Sequence, residues 1–251
     1  MTLTEQESLT IDSGGLRLGA HLSRPRRVGR MPALVLCHGF PSGPRGAATS
    51  AHTFPELADR VAAHAGWIAL AFNLRGTGTS DGDFSVDGWV ADLSAAVTAA
   101  ASVDGVTGVW TAGFGEGGTI AVCQAADDDR VRGVAALGAP ATGWARDAGR
   151  LLGHARRIGM IRTPGFPDDR GAWERAAALD VEAAARRLPP RSLLVVHGAD
   201  DDVVPVDAGR ALARAAAPSA ELRVVNSAGH RLRHDPRAVA LLLGWLDRQN
   251  V

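Results

Sequence analysis

Short apolar runs alternate along the chain with longer stretches of helical period. Residues 16–22 alternate apolar and polar side chains and predict a strand at the amino-terminal edge of a sheet. Residues 32–37 are continuously apolar and stop at His38-Gly39, as a central strand buried on both faces does when it meets a loop. The spacing predicts a helix over 54–65, a strand over 67–72, a glycine-broken loop over 73–80 and a helix over 87–102. Further on it predicts a strand over 106–113 and a helix over 116–126, with only Phe114 and Gly115 between them. Strands over 131–137, 192–197 and 221–225 follow, with helices over 206–217 and 236–248. Strands alternating with helices imply a parallel sheet covered on both faces. The first 13 residues are polar and partly acidic, and no element is assigned to them.

One stretch breaks this rhythm. Residues 139–190 hold basic amphipathic pieces around 151–161, a Thr-Pro-Gly-Phe-Pro-Asp-Asp loop and an alanine-rich helix over 173–188, with no convincing strand. The expected organisation is one domain, its core formed by 1–138 and 191–251 and interrupted by a helical insertion at 139–190. Ligands bind at strand ends in open α/β sheets, so the insertion is either a small lid or a helical decoration. Phe40, Phe114, Trp144, Ile161 and Phe166 are its candidate apolar wall, suited to a hydrophobic or aromatic small molecule. The alternative for Trp144 and Ile161 is ordinary packing.

Composition narrows the chemistry. With 46% hydrophobic and 22% charged residues, the 251-residue chain is too apolar to be disordered. Twenty-seven basic side chains balance 27 acidic ones, which argues against a nucleic-acid partner. All 27 are arginine, and tyrosine is absent. Arginine is no general base near pH 7, so lysine-nucleophile and tyrosine-acid mechanisms are excluded. Cys37 and Cys123 lie in apolar runs and read as buried free thiols. No secretory signal and no apolar run of about 18 residues is visible, so no membrane association and a cytoplasmic location are expected. No cofactor is expected: a phosphate loop needs a lysine, and the dinucleotide glycine spacing is not met. No metal is expected either. His230 and His234 are four apart but lack the third ligand zinc normally takes, and the aspartate run at 127–129 lacks the pattern of a calcium loop.

Four stretches carry the candidate chemistry. Leu-Cys-His-Gly-Phe-Pro at 36–41 follows a central strand. Asn-Leu-Arg-Gly-Thr-Gly-Thr-Ser-Asp-Gly at 73–82 is a glycine-rich loop. Gly-Phe-Gly-Glu-Gly-Gly at 113–118 joins a strand to a helix. His-Gly-Ala-Asp-Asp-Asp-Val-Val-Pro at 197–205 and Ala-Gly-His at 228–230 each follow one of the last two strands. In this order, over roughly residues 15–248, the chain resembles the α/β-hydrolase superfamily. That family carries its nucleophile on a sharp strand-to-helix elbow, followed along the chain by an acid and a histidine. The resemblance implies that fold, with Asp201 as the acid, three residues before Val204, and His230 as the base. Asp200 and Asp202 are adjacent rivals. It also implies an oxyanion hole built from the backbone N–H groups of Phe40 and Glu116.

The departure lies at the elbow. The family pattern is G-x-S-x-G, and here Gly113 and Gly117 frame Gly115. Glycine has no side chain with which to attack a carbonyl, so the covalent serine route is closed at that position. Thr119, Ser80, Cys37 and Cys123 are not expected at the elbow tip. Two classes of function remain. One is an enzyme in which an Asp201–His230 dyad activates water against a small ester, thioester or amide, or abstracts a substrate proton in a lyase-type step. The other is a non-catalytic protein that binds a small ligand in the retained pocket.

Overall fold

A computed structural model describes residues 3–26, 29–41, 46–49, 51–143 and 148–249. Eight strands form one sheet: β1 (Thr4–Ser13), β2 (Leu16–Pro25), β3 (Met31–Cys37), β4 (Ile68–Phe72), β5 (Val106–Phe114), β6 (Val131–Leu137), β7 (Ser192–Gly198) and β8 (Ala220–Val225). Their spatial order is β1-β2-β4-β3-β5-β6-β7-β8. The hairpin β1–β2 is antiparallel and β2 runs antiparallel to β4, while every pairing from β4 to β8 is parallel. This is the α/β-hydrolase fold.

The continuous apolar runs follow from burial on two sides. Strand side chains alternate between faces, and along β3 Ala33, Val35 and Cys37 enter one core while Leu34 and Leu36 enter the other. Strand β7 divides likewise, Leu193 and Val195 against Leu194 and Val196. Helices α1 (Phe54–Ala65) and α8 (Pro236–Asp247) cover one face, through Phe54, Leu57, Val61, Leu242 and Trp245. Helices α2 (Val86–Ala101), α3 (Glu116–Ala126) and α7 (Val206–Ala215) cover the other.

One element is added and one expectation is corrected. The polar amino-terminal stretch is a strand, β1. It pairs only with β2 and leaves most of its side chains half or fully exposed, so hydropathy does not mark it. The signal it does carry is Gly14-Gly15, both at positive φ, a two-residue turn of the kind that joins hairpin strands. The helix expected over 173–188 is two helices, α5 (Arg170–Ala176) and α6 (Val181–Arg186). Asp180 starts the second by accepting the N–H of Ala183, and a capping aspartate marks a new helix rather than the continuation of an old one.

These two, with α4 (Ala148–Arg157), make up the segment between β6 and β7. It is clasped to the glycine-rich loop. Arg162 donates to the carbonyls of Ser80 and Gly82, Asp83 accepts the N–H of Arg162 at 2.6 Å, and Phe84 N–H donates to Met160 O. The loop is held from the other side by buried Asp92 of α2. Asp92 takes Arg75 N–H at 2.8 Å, the Arg75 guanidinium at 2.7 Å and the Ser13 hydroxyl at 2.7 Å. No helix among the described residues is long and apolar enough to cross a membrane.

Candidate active site

Parallel strands with helical crossovers deliver their carboxyl ends to one edge of the sheet. Four of those ends supply the site: residues 38–41 after β3, Gly115 after β5, Asp201 after β7 and His230 after β8. Around the first, second and fourth of these, with Asp201 buried behind His230, lies a cavity of about 780 Å³ lined by Gly39, Phe40, Phe114, Gly115, Glu116 and His230, with further residues of the 202–203 and 227–235 segments.

The turn from β5 into α3 is one residue long. Gly115 has φ 56° and ψ −128°, and its N–H donates to Leu137 O at 2.8 Å. Its neighbours in the motif are glycine for steric reasons. A Cβ on Gly113 would strike the backbone of Gly117 and Gly118, and one on Gly117 would strike the carbonyls of Cys37 and His38. Gly115 is different. A Cβ there would meet only ordinary contacts, the nearest being His230 Nε2 at 3.5 Å. The backbone conformation favours glycine, but the space beside it accepts a side chain.

Asp201 is fully buried, whereas Asp200 and Asp202 are exposed. Its Oδ1 accepts the N–H groups of Val203 (3.0 Å) and Val204 (2.8 Å), which fixes the carboxylate, and its Oδ2 lies 2.9 Å from His230 Nδ1. With a proton on Nδ1, Nε2 carries the lone pair, and it faces Gly115. Buried His197 sits beneath this turn. Its Nε2–H donates to Val204 O at 2.9 Å and lies 3.4 Å from Asp201 Oδ2. Sequence reading assigned His197 no part, because its contact with Asp201 exists only once the turn has closed.

Phe40 and Glu116 meet in a way the sequence does not announce. The N–H of Phe40 donates to the Glu116 carboxylate, Oε2, at 3.1 Å. The expected pair of open amides is therefore half engaged by an anion of the chain itself. His38, one residue before Gly39, sets the path of this loop. It donates through Nδ1 to Gly39 O and accepts the N–H of Leu74 at Nε2. Full burial pushes its pKa down to about 4, so it sits in the fold as neutral imidazole.

The expected apolar wall is only partly present. Phe40 and Phe114 line the cavity; Phe166 and Ile161 do not, and pack against the core instead. Trp144 lies outside the described residues. No described residue of 139–190 reaches the cavity lining, because the insertion docks on the glycine-rich loop. Its approach to the site is His154, whose ring stacks on Phe40 at 5.7 Å. In place of aromatic side chains the cavity carries Arg231, Arg233, Asp202 and Asp235.

The other hydroxyls and thiols stay away from the tip. Thr119 is buried and donates to Pro140 O, and Ser80 donates to Asn73 O. Burial pushes the Cys123 thiol up to about 12 and the Cys37 thiol higher still, so neither is a thiolate at neutral pH. His234 turns to a separate hollow beside Thr53 and Glu56, and no metal-holding group of three ligands exists among the described residues.

Comparison with known proteins is consistent with this architecture. No curated protein sequence matches the chain. Among solved structures, DcsB in complex with a substrate analogue superposes with a TM-score of 0.76 at 18% identity, covering 98% of this chain and 100% of that one. Est1E from Butyrivibrio proteoclasticus, with ferulic acid bound, gives 0.69 at 23% identity over 96% and 97%. A mutant meta-cleavage product hydrolase from Pseudomonas fluorescens IP01, complexed with acetates, gives 0.67 at 22% over 96% and 98%. The sequence profile of the Alpha/beta hydrolase family matches residues 34–241, from β3 into α8. With that span matched, on a sheet of this order and with these loops at one edge, the chain belongs to the alpha/beta hydrolase family.

Proposed function

We propose that this protein hydrolyses a small ester, thioester or amide without a covalent intermediate, with His230 as general base and Asp201 orienting it. The observation behind this reading is an imidazole held by a buried carboxylate at 2.9 Å and aimed at bare backbone, 3.5 Å from where a Gly115 side chain would begin. Gly115 is read as a vacant nucleophile position, and the room beside it takes a water molecule. Nε2 removes a proton from that water as its oxygen attacks the carbonyl carbon. Asp201 stabilises the resulting imidazolium, which returns the proton to the leaving group as the acyl–heteroatom bond breaks. The backbone N–H of Glu116 and that of Phe40 bind the developing oxyanion, the latter once the Glu116 side chain turns away. Phe40 and Phe114 give the apolar contact for the substrate. Est1E, of the same fold, binds ferulic acid, a small aromatic ligand. The core of 1–138 and 191–251 supplies the chemistry, and the 139–190 insertion braces the loops behind it. The scheme needs neither metal nor cofactor.

One observation favours a second reading, a non-catalytic ligand-binding protein. The Glu116 carboxylate puts negative charge where the reaction develops its own, and oxyanion stabilisation is usually the largest single contribution to acyl-transfer catalysis.

Turnover of nitrophenyl esters and short acyl thioesters separates the two. The hydrolytic reading expects linear product formation from the first turnover, with no acyl burst. It expects a loss of about 10²–10⁴-fold in His230→Ala and a gain in Glu116→Ala. Turnover indifferent to His230→Ala rules out the dyad. Inactivity of both the unmodified protein and Glu116→Ala, with both folded, leaves the binding reading.

A further inference from the structure

The segment after β8 puts two cations on the cavity wall that the proposed chemistry does not use. Arg231 and Arg233 flank Leu232, whose side chain is 2% exposed and anchors the turn. Three backbone bonds close it: Leu232 N–H to His230 O, His234 N–H to Arg231 O and Asp235 N–H to Leu232 O. The backbone under both guanidinium groups is thus set before any ligand arrives.

Arg233 is half-buried, its Cζ 5.7 Å from the centre of the Phe54 ring. Its Nε is sealed from solvent and finds no hydrogen-bond acceptor among the described residues. Neither Arg231 nor Arg233 has a carboxylate partner among those residues, although many of the chain's arginines do: Arg75 with Asp92, Arg130 with Asp128, Arg248 with Glu221. The acids of the same cavity do not neutralise them. Asp235 caps α8 and is held by Arg237 at 2.6 Å, Glu116 accepts from Phe40, and exposed Asp202 pairs with neither. Burial and the proximity of Arg231 both push the Arg233 pKa down from the ordinary guanidinium value, yet an arginine stays protonated. The sealed Nε is out of a ligand's reach, but the terminal N–H groups of this partly desolvated guanidinium are not sealed and have no hydrogen-bond partner among the described residues, and a planar oxyanion group pairs with two such donors at once.

We propose that Arg233, supported by Arg231, is a carboxylate-binding subsite of the His230 cavity, so that the ligand is a small molecule with an apolar body and a single carboxylate. Phe40 and Phe114, which line the same cavity, suit the apolar body. A monoanion fits better than a phosphate dianion, because a second negative charge would meet Glu116, Asp202 and Asp235 on the same walls. The inference deepens the proposed function by naming its substrate class and rests on that cavity being the site, but binding is measured apart from turnover, in His230→Ala as well as in the unmodified protein, so that hydrolysis of an amide cannot pass for binding of an acid.

The experiment is calorimetric titration of the whole chain with hexanoate and benzoate, with their neutral amides hexanamide and benzamide, and with inorganic phosphate. The acids bind at least about tenfold more tightly than the amides, as a charge-assisted pair predicts, and the preference shrinks as salt is raised. Arg233→Gln removes the preference, Arg233→Lys keeps part of it, and Arg231→Gln weakens it less. His230→Ala keeps the preference while losing any hydrolysis, so failure of the chemistry and failure of the subsite are told apart. Circular dichroism checks the fold of each variant. If Arg233→Gln does not fold, the acid–amide ratio and its salt dependence in the unmodified protein decide alone. Equal binding of acids and amides overturns the proposal, as does absence of acid binding, a preference that survives Arg233→Gln, or phosphate binding as tightly as hexanoate.

Discussion

Replacing Gly115 with serine tests the geometry of the elbow directly. A Cβ at that position lies 3.5 Å from His230 Nε2 and meets nothing closer. A hydroxyl one bond further out, in the rotamer aimed at the imidazole, falls within the roughly 2.6–3.2 Å reach of a nucleophile–base pair. The backbone opposes the change, because φ 56° with ψ −128° costs a non-glycine residue about 1–3 kcal/mol. For a domain of this size that corresponds to a melting temperature lower by about 2–12 °C. The expected protein is folded, slightly less stable, and newly able to form an acyl-enzyme. Intact-protein mass spectrometry after a fluorophosphonate, together with the burst on a nitrophenyl ester, reads this out. Labelling should vanish when His230→Ala is added. Combining Gly115→Ser with Glu116→Ala frees the Phe40 amide and should accelerate acylation by about 10²–10³-fold, the worth of one oxyanion donor. Gly115→Ser proteins that melt cooperatively yet show neither label nor burst, with Glu116 or without it, refute the claim that the elbow faces the imidazole.

Three further outcomes follow from the surrounding structure. Asp92→Ala strands the Arg75 guanidinium, whose side chain is 18% exposed, and should cost about 3–5 kcal/mol, a melting shift of about 6–20 °C; a shift under about 2 °C contradicts the role given to this pair. His38 has a folded pKa of about 4 against an ordinary 6.5. The unfolded chain therefore binds its proton first, and the contribution of His38 is complete above about pH 6.5 and lost as pH falls toward 4, by about 3 kcal/mol. Urea midpoints at pH 7 and 4.5 should differ less in His38→Gln, and an unchanged difference removes His38 as the cause. Cys37 and Cys123 are buried, with thiols pushed well above neutral. Ellman's reagent should find no thiol in the native protein and both in denaturant, and fast native labelling of either would show that its strand or helix opens.

The sequence alone determined the scaffold from β2 onward. Runs such as Leu34 to Leu36 and Leu193 to Val196 are apolar on successive residues because both faces of a parallel sheet are covered, and the helical stretches between them point to that sheet rather than to a sandwich. The loops after β3, β5, β7 and β8 were legible as the bearers of the site, since helical crossovers return each strand to the same edge. Strand β1 was not legible, because an edge strand half in water carries little hydropathy. The break at Asp180 falls in an alanine-rich stretch whose propensity favours one continuous helix, and only the side-chain bond to Ala183 N–H marks a new start. Tertiary structure alone decided which groups meet. Of three consecutive aspartates the family pattern pointed to Asp201 and left Asp200 and Asp202 as rivals, and only the closed turn buries Asp201, gives it two backbone N–H groups and sets it against His230. The Glu116 carboxylate on the Phe40 amide, an Arg233 without a carboxylate partner among the described residues, and the absence of Phe166 from the cavity depend likewise on contacts between residues far apart in the chain. Periodicity reports which side of an element faces the core, a local property. Pairing across a cavity depends on angles and distances that only the assembled sheet imposes.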